Sequence, residues 1–180
     1  MILTIMVERV LRETVQLPYR DLVTRSTGAA VRNGIERAMA AGGCATTLLD
    51  FSDVGLLDFS CADEVVAKLL LGTAPEHERY VVLWGLREDH SEAIDHVLNH
   101  HHIAVLAMVE AEATPRALGQ LRPELQNALA AVQQLETGDA ASLADAVGWT
   151  IDRAADALQS LALLRLLCAD QGHFRRIPLT

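Results

Sequence analysis

Ser60 stands at a position where a hydroxyl can do chemistry: it closes the apolar segment TTLLDFSDVGLLDFS and opens CADEVVAKLLLG, with carboxylates close by at Asp58, Asp63 and Glu64. A serine at a helix start either caps the helix, accepting a hydrogen bond from the amide three residues on, or receives a phosphoryl group. The spacing predicts Ser60 as the N-cap, with Asp63 in the reciprocal position of a capping box. Hydrolysis through Ser60 would need a general base, and none is identifiable beside it. A second constellation is histidine. His96 and His100 lie four residues apart, a spacing at which two imidazoles on one helix can share a metal, and His101 and His102 follow. No neighbouring cysteine completes a four-ligand set, and imidazoles also suit a helix C-terminus, so no metal is expected and His96 and His100 are only residual candidates. Asp50, Asp53 and Asp58 near the strand ends read as turn-forming acids rather than cation ligands.

The elements that would position these groups follow from periodicity. Thr46, Thr47, Leu48, Leu49 and Phe51 form a short β-favouring run closed by Ser52-Asp53. Val54, Leu56, Leu57 and Phe59 return the chain to apolar surroundings. After Ser60 the residues Ala62, Val65, Val66, Leu69 and Leu70 recur at helical spacing, with Asp63, Glu64 and Lys68 on the opposite face. Thr24 to Met39 reads as an amphipathic helix begun by Ser26 or Thr27 and ended by Gly42-Gly43. Arg79 to Trp84 reads as a strand, Ser91 to His100 as a helix, and Ile103 to Val109 as a strand apolar enough to be covered on both faces. Alternating strands and helices predict a largely parallel sheet.

The segment around Ser60 resembles the STAS domain, named for sulphate transporters and anti-sigma-factor antagonists. In the antagonists a strand ends in Asp-Ser-Ser-Gly, and a partner kinase phosphorylates the second serine. Asp58 and Ser60 match that Asp and acceptor, whereas Phe59 and Cys61 replace the first serine and the glycine. Ala62, Asp63 and Glu64 resemble the Ala-Asp-Glu that follows a Ser-rich turn in a STAS-like group of poorly characterised bacterial proteins. The resemblance covers residues 1–110. It implies a phosphoacceptor at Ser60 and a partner surface formed by Asp58, Cys61, Asp63 and Glu64, facing a kinase or an anti-sigma-like regulator.

Composition limits the remaining classes. The chain of 180 residues is 51% hydrophobic, which suffices for packed cores. No apolar run approaches the roughly 20 residues a membrane-spanning helix needs, and the N-terminus lacks a leader's basic flank, so a cytoplasmic protein without membrane association is expected. Cys44, Cys61 and Cys168 are widely spaced and read as reduced thiols. A formal charge of −9 and 4% aromatic residues disfavour nonspecific adhesion to nucleic acid. There is no Walker loop, GxSxG, HExxH or GxGxxG, so neither enzymatic activity nor a cofactor is expected.

After Glu110 the pattern changes. Residues 111–120 read as a linker. Beyond it, Leu125, Leu129, Val132 and Leu135 mark a helix that ends near Thr137-Gly138 and that Pro123 fits only loosely as first residue. Asp139 caps a second helix stopped by Gly148, and Thr150 caps a third carrying Ala154, Ala157, Leu158 and Leu161 inward. Leu163 to Ala169 and His173 to Leu179 read as strands joined by Asp170-Gln171-Gly172. This order resembles a winged helix-turn-helix domain over residues 121–180. Its outward recognition face carries Asp152, Arg153, Asp156, Gln159 and Ser160, so DNA contacts would fall to Arg153, Gln159, Arg175 and Arg176. From Ala111 onward six arginines face eight carboxylates, which favours a protein partner.

The fold class expected is therefore α/β followed by α+β, a STAS-like mostly parallel sheet with helices and then a small winged-helix domain. The function expected is a non-enzymatic regulatory adaptor acting through protein contacts. The alternatives are a DNA-binding regulator and a small-ligand or nucleotide sensor. Alanine-rich helix faces leave a homodimer open.

Overall fold

β-Favouring runs at regular intervals pair into one five-stranded sheet in chain order: β1 (Ile2–Met6), β2 (Thr46–Asp50), β3 (Tyr80–Leu86), β4 (Ala104–Val109) and β5 (Arg116–Gly119). The first four strands are parallel, and β5 returns antiparallel to β4. The computed structural model describes residues 1–73, 79–135, 138–170 and 172–180. Between β1 and β2 lie α1 (Val7–Val15) and α2 (Arg25–Gly42), and α4 (Glu88–His100) joins β3 to β4. The crossover from β2 to β3 contains α3, a continuous run that is α-helical over Phe59–Ala62, π-helical over Asp63–Ala67 and α-helical again over Lys68–Gly72.

The alternation of side chains along each strand builds two cores on the two faces of this sheet. Ile5, Leu49, Val81, Leu83, Val105, Ala107 and Leu118 face one way and pack with Leu11, Val31, Ile35, Val65, Val66, Ile94 and Leu98 from the helices between the strands. Leu48, Val82 and Leu106 face the other way. Against them pack Leu125, Leu129, Leu143, Leu158 and Leu161 from α5 (Pro123–Gln134), α6 (Ala140–Val147) and α7 (Ile151–Leu163). The prediction that the 103–109 run is covered on both faces holds over Ala104–Val109.

The C-terminal part comprises α5, α6, α7 and a two-stranded antiparallel ribbon of β6 (Cys168–Asp170) and β7 (His173–Arg175). Asp139 and Thr150 cap α6 and α7 through hydrogen bonds from the amides of Ser142 and Arg153, and Gly148 ends α6 in the left-handed region, all as predicted. Other expectations shift. Pro123 is the first residue of α5, where its missing N–H costs nothing. Leu163 lies in the last turn of α7, so the ribbon strand begins at Cys168 and its partner ends at Arg175. The predicted turn residue Gln171 and the predicted helix end at Thr137 lie outside the described residues. In the segment read as a linker, Arg116–Gly119 is the edge strand β5, because pairing with β4 satisfies its backbone. Thr24, not Ser26 or Thr27, caps α2, and α4 starts at Glu88 after Arg87, a turn earlier than Ser91.

Candidate functional site

The loop between β2 and α3 is held in place on two sides. From the 20–22 segment, Gly55 N–H donates to Arg20 O at 2.7 Å, Leu56 N–H to Asp21 Oδ1 at 2.8 Å, Leu22 N–H to Leu56 O at 2.7 Å and Asp58 N–H to Leu22 O at 2.9 Å. A side chain at Gly55 would meet Asp21 Oδ1 at 2.2 Å, so only glycine allows this approach. From the start of α4, Arg87 donates through Nη1 to Val54 O at 3.1 Å and through Nη2 to Gly55 O at 3.0 Å. His90, fully buried, accepts from Arg87 N–H through Nδ1 at 3.4 Å, which leaves Nε2–H to donate to Gly55 O at 2.7 Å. Asp89 hydrogen-bonds Arg87 and raises its already high pKa, while Arg87 holds the Asp89 carboxyl below its ordinary value. Sequence reading singled out neither Arg87 nor His90. Their target lies more than thirty residues away in sequence, and no local pattern encodes it.

At the end of this loop Asp58 adopts extended backbone and caps α3. Its Oδ1 accepts from Cys61 N–H at 2.8 Å and from Ser60 Oγ–H at 2.8 Å. Ser60 is therefore a second-position residue of the helix rather than its N-cap, and the expected bond from the Asp63 amide gives way to an intrahelical one. The reason is tertiary: the Asp58 amide is bonded to Leu22 O, which fixes Asp58 where the chain turns.

The carboxylates read as a partner surface point mainly inward. Cys61 is fully buried, and its thiol donates to Thr24 O at 2.9 Å. Burial, aided by the charge of Asp58, pushes its pKa up to about 11, so it is an inert thiol. Glu64 is only 3% exposed, because the π-helical turn rotates it from the expected solvent face toward α2. There Arg32 Nη1 donates to Oε2 at 2.7 Å, and Arg25 Nη1 donates to Oε1 at 2.9 Å, which Lys68 Nζ also approaches. Asp63 receives Arg25 Nη1 at 2.8 Å and pairs with His101 Nε2 at 2.6 Å. Burial works to raise both carboxyls. For Glu64 the bonds from Lys68 and Arg25 outweigh it, and for Asp63 those from Arg25 and His101, so both are held below their ordinary values.

What the site does expose is apolar. Leu56 is 59% and Phe59 57% exposed, on either side of buried Leu57. The Phe59 ring packs against His96 with centroids 4.8 Å apart. His100 instead meets the His101 ring edge-on, so His96 and His100 are not drawn onto a shared ligand. Among the described residues, no group of three or more His, Cys, Asp or Glu is placed to hold a metal ion. Asp50 accepts from Ser52 N–H at 2.8 Å and Asp53 lies 4.0 Å from Arg20, both as turn-formers.

The residues considered for DNA contact are partly engaged within the chain. Arg153 donates to Glu124 Oε1 at 2.5 Å and lies over the Trp149 ring at 4.3 Å. Arg176 donates to Gln133 O at 3.1 Å, whereas Gln159 and Arg175 are exposed. Among the described residues no helix is long and apolar enough to cross a membrane. Compared with protein families, with curated proteins and with solved structures, the chain matches none.

Proposed function

We propose that the chain is a non-enzymatic regulatory adaptor that docks a protein partner at the start of α3, with Ser60 as a phosphorylatable switch beside the docking residues. The observation that carries this reading is an exposed apolar pair, Leu56 and Phe59, on backbone pinned by hydrogen bonds from both the 20–22 segment and the start of α4. Apolar side chains on a preorganised backbone lose little entropy on binding, and aromatic side chains are enriched at interface cores. The STAS-like reading of residues 1–110 supports the same place, since it puts the acceptor serine one residue beyond Phe59.

Electrostatics also support a switch. A phosphate adds about −2 charge, which a helix N-terminus favours. The nearby carboxylates of Asp63 and Glu64 are already matched by Arg25, Arg32 and Lys68, so Asp58 is the acid that a phosphate on Ser60 would oppose most. Phosphorylation would displace the Ser60–Asp58 bond and alter the start of the helix next to Phe59.

The reading of residues 121–180 as a winged helix belongs to this proposal. Its acidic balance, and the commitment of Arg153 and Arg176 to internal contacts, favour a protein-binding use over DNA. The test is capture of partners from native lysate by the wild type, Phe59→Ala, Leu56→Ala and Ser60→Asp, with mass spectrometry of Ser60 in the native protein. Loss of the same partner in Phe59→Ala and Ser60→Asp is expected. A partner set unchanged by all three variants, with Ser60 unmodified across growth conditions, would sink the proposal.

A further inference from the structure

We propose that β1 is the interface of a homodimer in which two copies pair antiparallel along Ile2–Met6 about a twofold axis at Thr4, joining two five-stranded sheets into one. Among the described residues β1 is an outer strand bonded only to β2. Such an edge presents a row of unpaired N–H and C=O groups, and proteins that keep an edge free blunt it with charge, proline, bulges or a cover. The opposite edge is blunted: β5 has four residues, follows Pro115, begins with Arg116 and ends at Gly119 with φ +95. β1 carries no charge, proline or bulge among the described residues. Its sequence ILTIM contains no charge, proline or glycine, and its register with β2 is unbroken. Among the described residues, no loop or side chain hydrogen-bonds to its backbone from outside the sheet.

The strand is also complementary to itself. Antiparallel pairing about Thr4 sets Ile2 against Met6 of the second copy, Leu3 against Ile5 and Thr4 against Thr4. Leu3 and Ile5 belong to the face covered by α1–α4, so that core would continue into its counterpart, while on the other face Ile2 would cover the exposed Met6 of the second copy. A slip of one residue would set every side chain against the wrong face. The arrangement is isologous and closes at two copies. Charge agrees with it. The molecule carries −9, yet residues 1–19 contain only Glu8, Glu13, Arg9 and Arg12, and these pair within α1 as Arg9–Glu13 at 3.0 Å and Arg12–Glu8 at 3.3 Å. The stretch that forms and follows β1 therefore adds no net charge to oppose a second copy. Met1, Met6, Leu17 and Tyr19, all exposed, belong to the same stretch of chain.

Sedimentation equilibrium of the full chain tests the inference. The wild type is expected to be a dimer, and Thr4→Lys, which opposes two ammonium groups across the axis, a monomer with unchanged circular dichroism. A second measurement covers a variant that fails to fold. In a Cys44→Ser background, mild oxidation is expected to link Thr4→Cys to itself, since directly opposed Cβ atoms stand about 4.5–5.5 Å apart. In the same background Met6→Cys should cross-link only when mixed with Ile2→Cys. A monomeric wild type, a dimer indifferent to Thr4→Lys, or self-linking of Met6→Cys without that of Thr4→Cys would overturn it.

Discussion

Glu64 is a buried carboxylate one turn beyond Ser60. It accepts from Arg25, Arg32 and Lys68, which themselves keep solvent access, so its removal costs charged hydrogen bonds rather than stranding buried cations. Glu64→Ala is expected to cost about 2 kcal/mol, measured by urea unfolding. The sign of the pH effect follows from the lowered carboxyls of Asp63 and Glu64. Their contribution is fully present above the unfolded values, near 3.8 and 4.5, and is lost as pH falls through the lower folded values. Unfolding curves taken from neutral pH down to pH ~3 should show this loss, and Glu64→Gln should flatten the slope. Asp58→Ala removes a cap with two donors and should cost about 1–2 kcal/mol, while Ser60→Ala, which leaves the cap on Cys61 N–H, should cost less.

At the scale of elements, the seam between α2 and α3 is set by Gly28. A Cβ there would meet Glu64 Cβ at 3.0 Å, Cys61 Cα at 3.1 Å and Cys61 Sγ at 3.2 Å, so Gly28→Ala should destabilise by about 1–3 kcal/mol although alanine is the better helix former. Thermal melts of this variant against Gly72→Ala, where the nearest atom is Glu36 Oε1 at 3.9 Å, separate packing from propensity. This seam shows how far the sequence could be read. The apolar 104–109 strand and the caps Asp139 and Thr150 were legible because each follows from its own few residues. The cap at Asp58 was not, since Asp58 and Ser60 are both good cappers two residues apart, and a distant bond to Leu22 O decides between them. Glu64 was assigned to the solvent face by regular helical spacing, which a π-helical turn breaks. β5 was hidden because the four residues Arg116–Gly119 acquire their strand character only from β4.

For the whole molecule, the sheet is a wall shared by both cores. Leu48, Val82 and Leu106 lie under α5–α7, so residues 1–110 alone would expose an apolar sheet face and residues 121–180 alone would lose their floor. The full chain is expected to unfold in one transition by circular dichroism and by fluorescence of Trp84 and Trp149. A 1–110 fragment is expected to bind a hydrophobic dye and aggregate, and a soluble, cooperatively folding fragment would contradict the shared wall.

The same wall sets a hierarchy in time. Amides of β2 and β3 sit at the centre of the sheet with a core on either side, so deuterium can reach them only when the entire chain opens, whereas the short β6–β7 ribbon, half exposed, can admit it by local fluctuation. An event at the start of α3 that strained β2 would thus be felt at α7 without any linker having to move, because Leu48 and Leu49 of one strand belong to opposite cores.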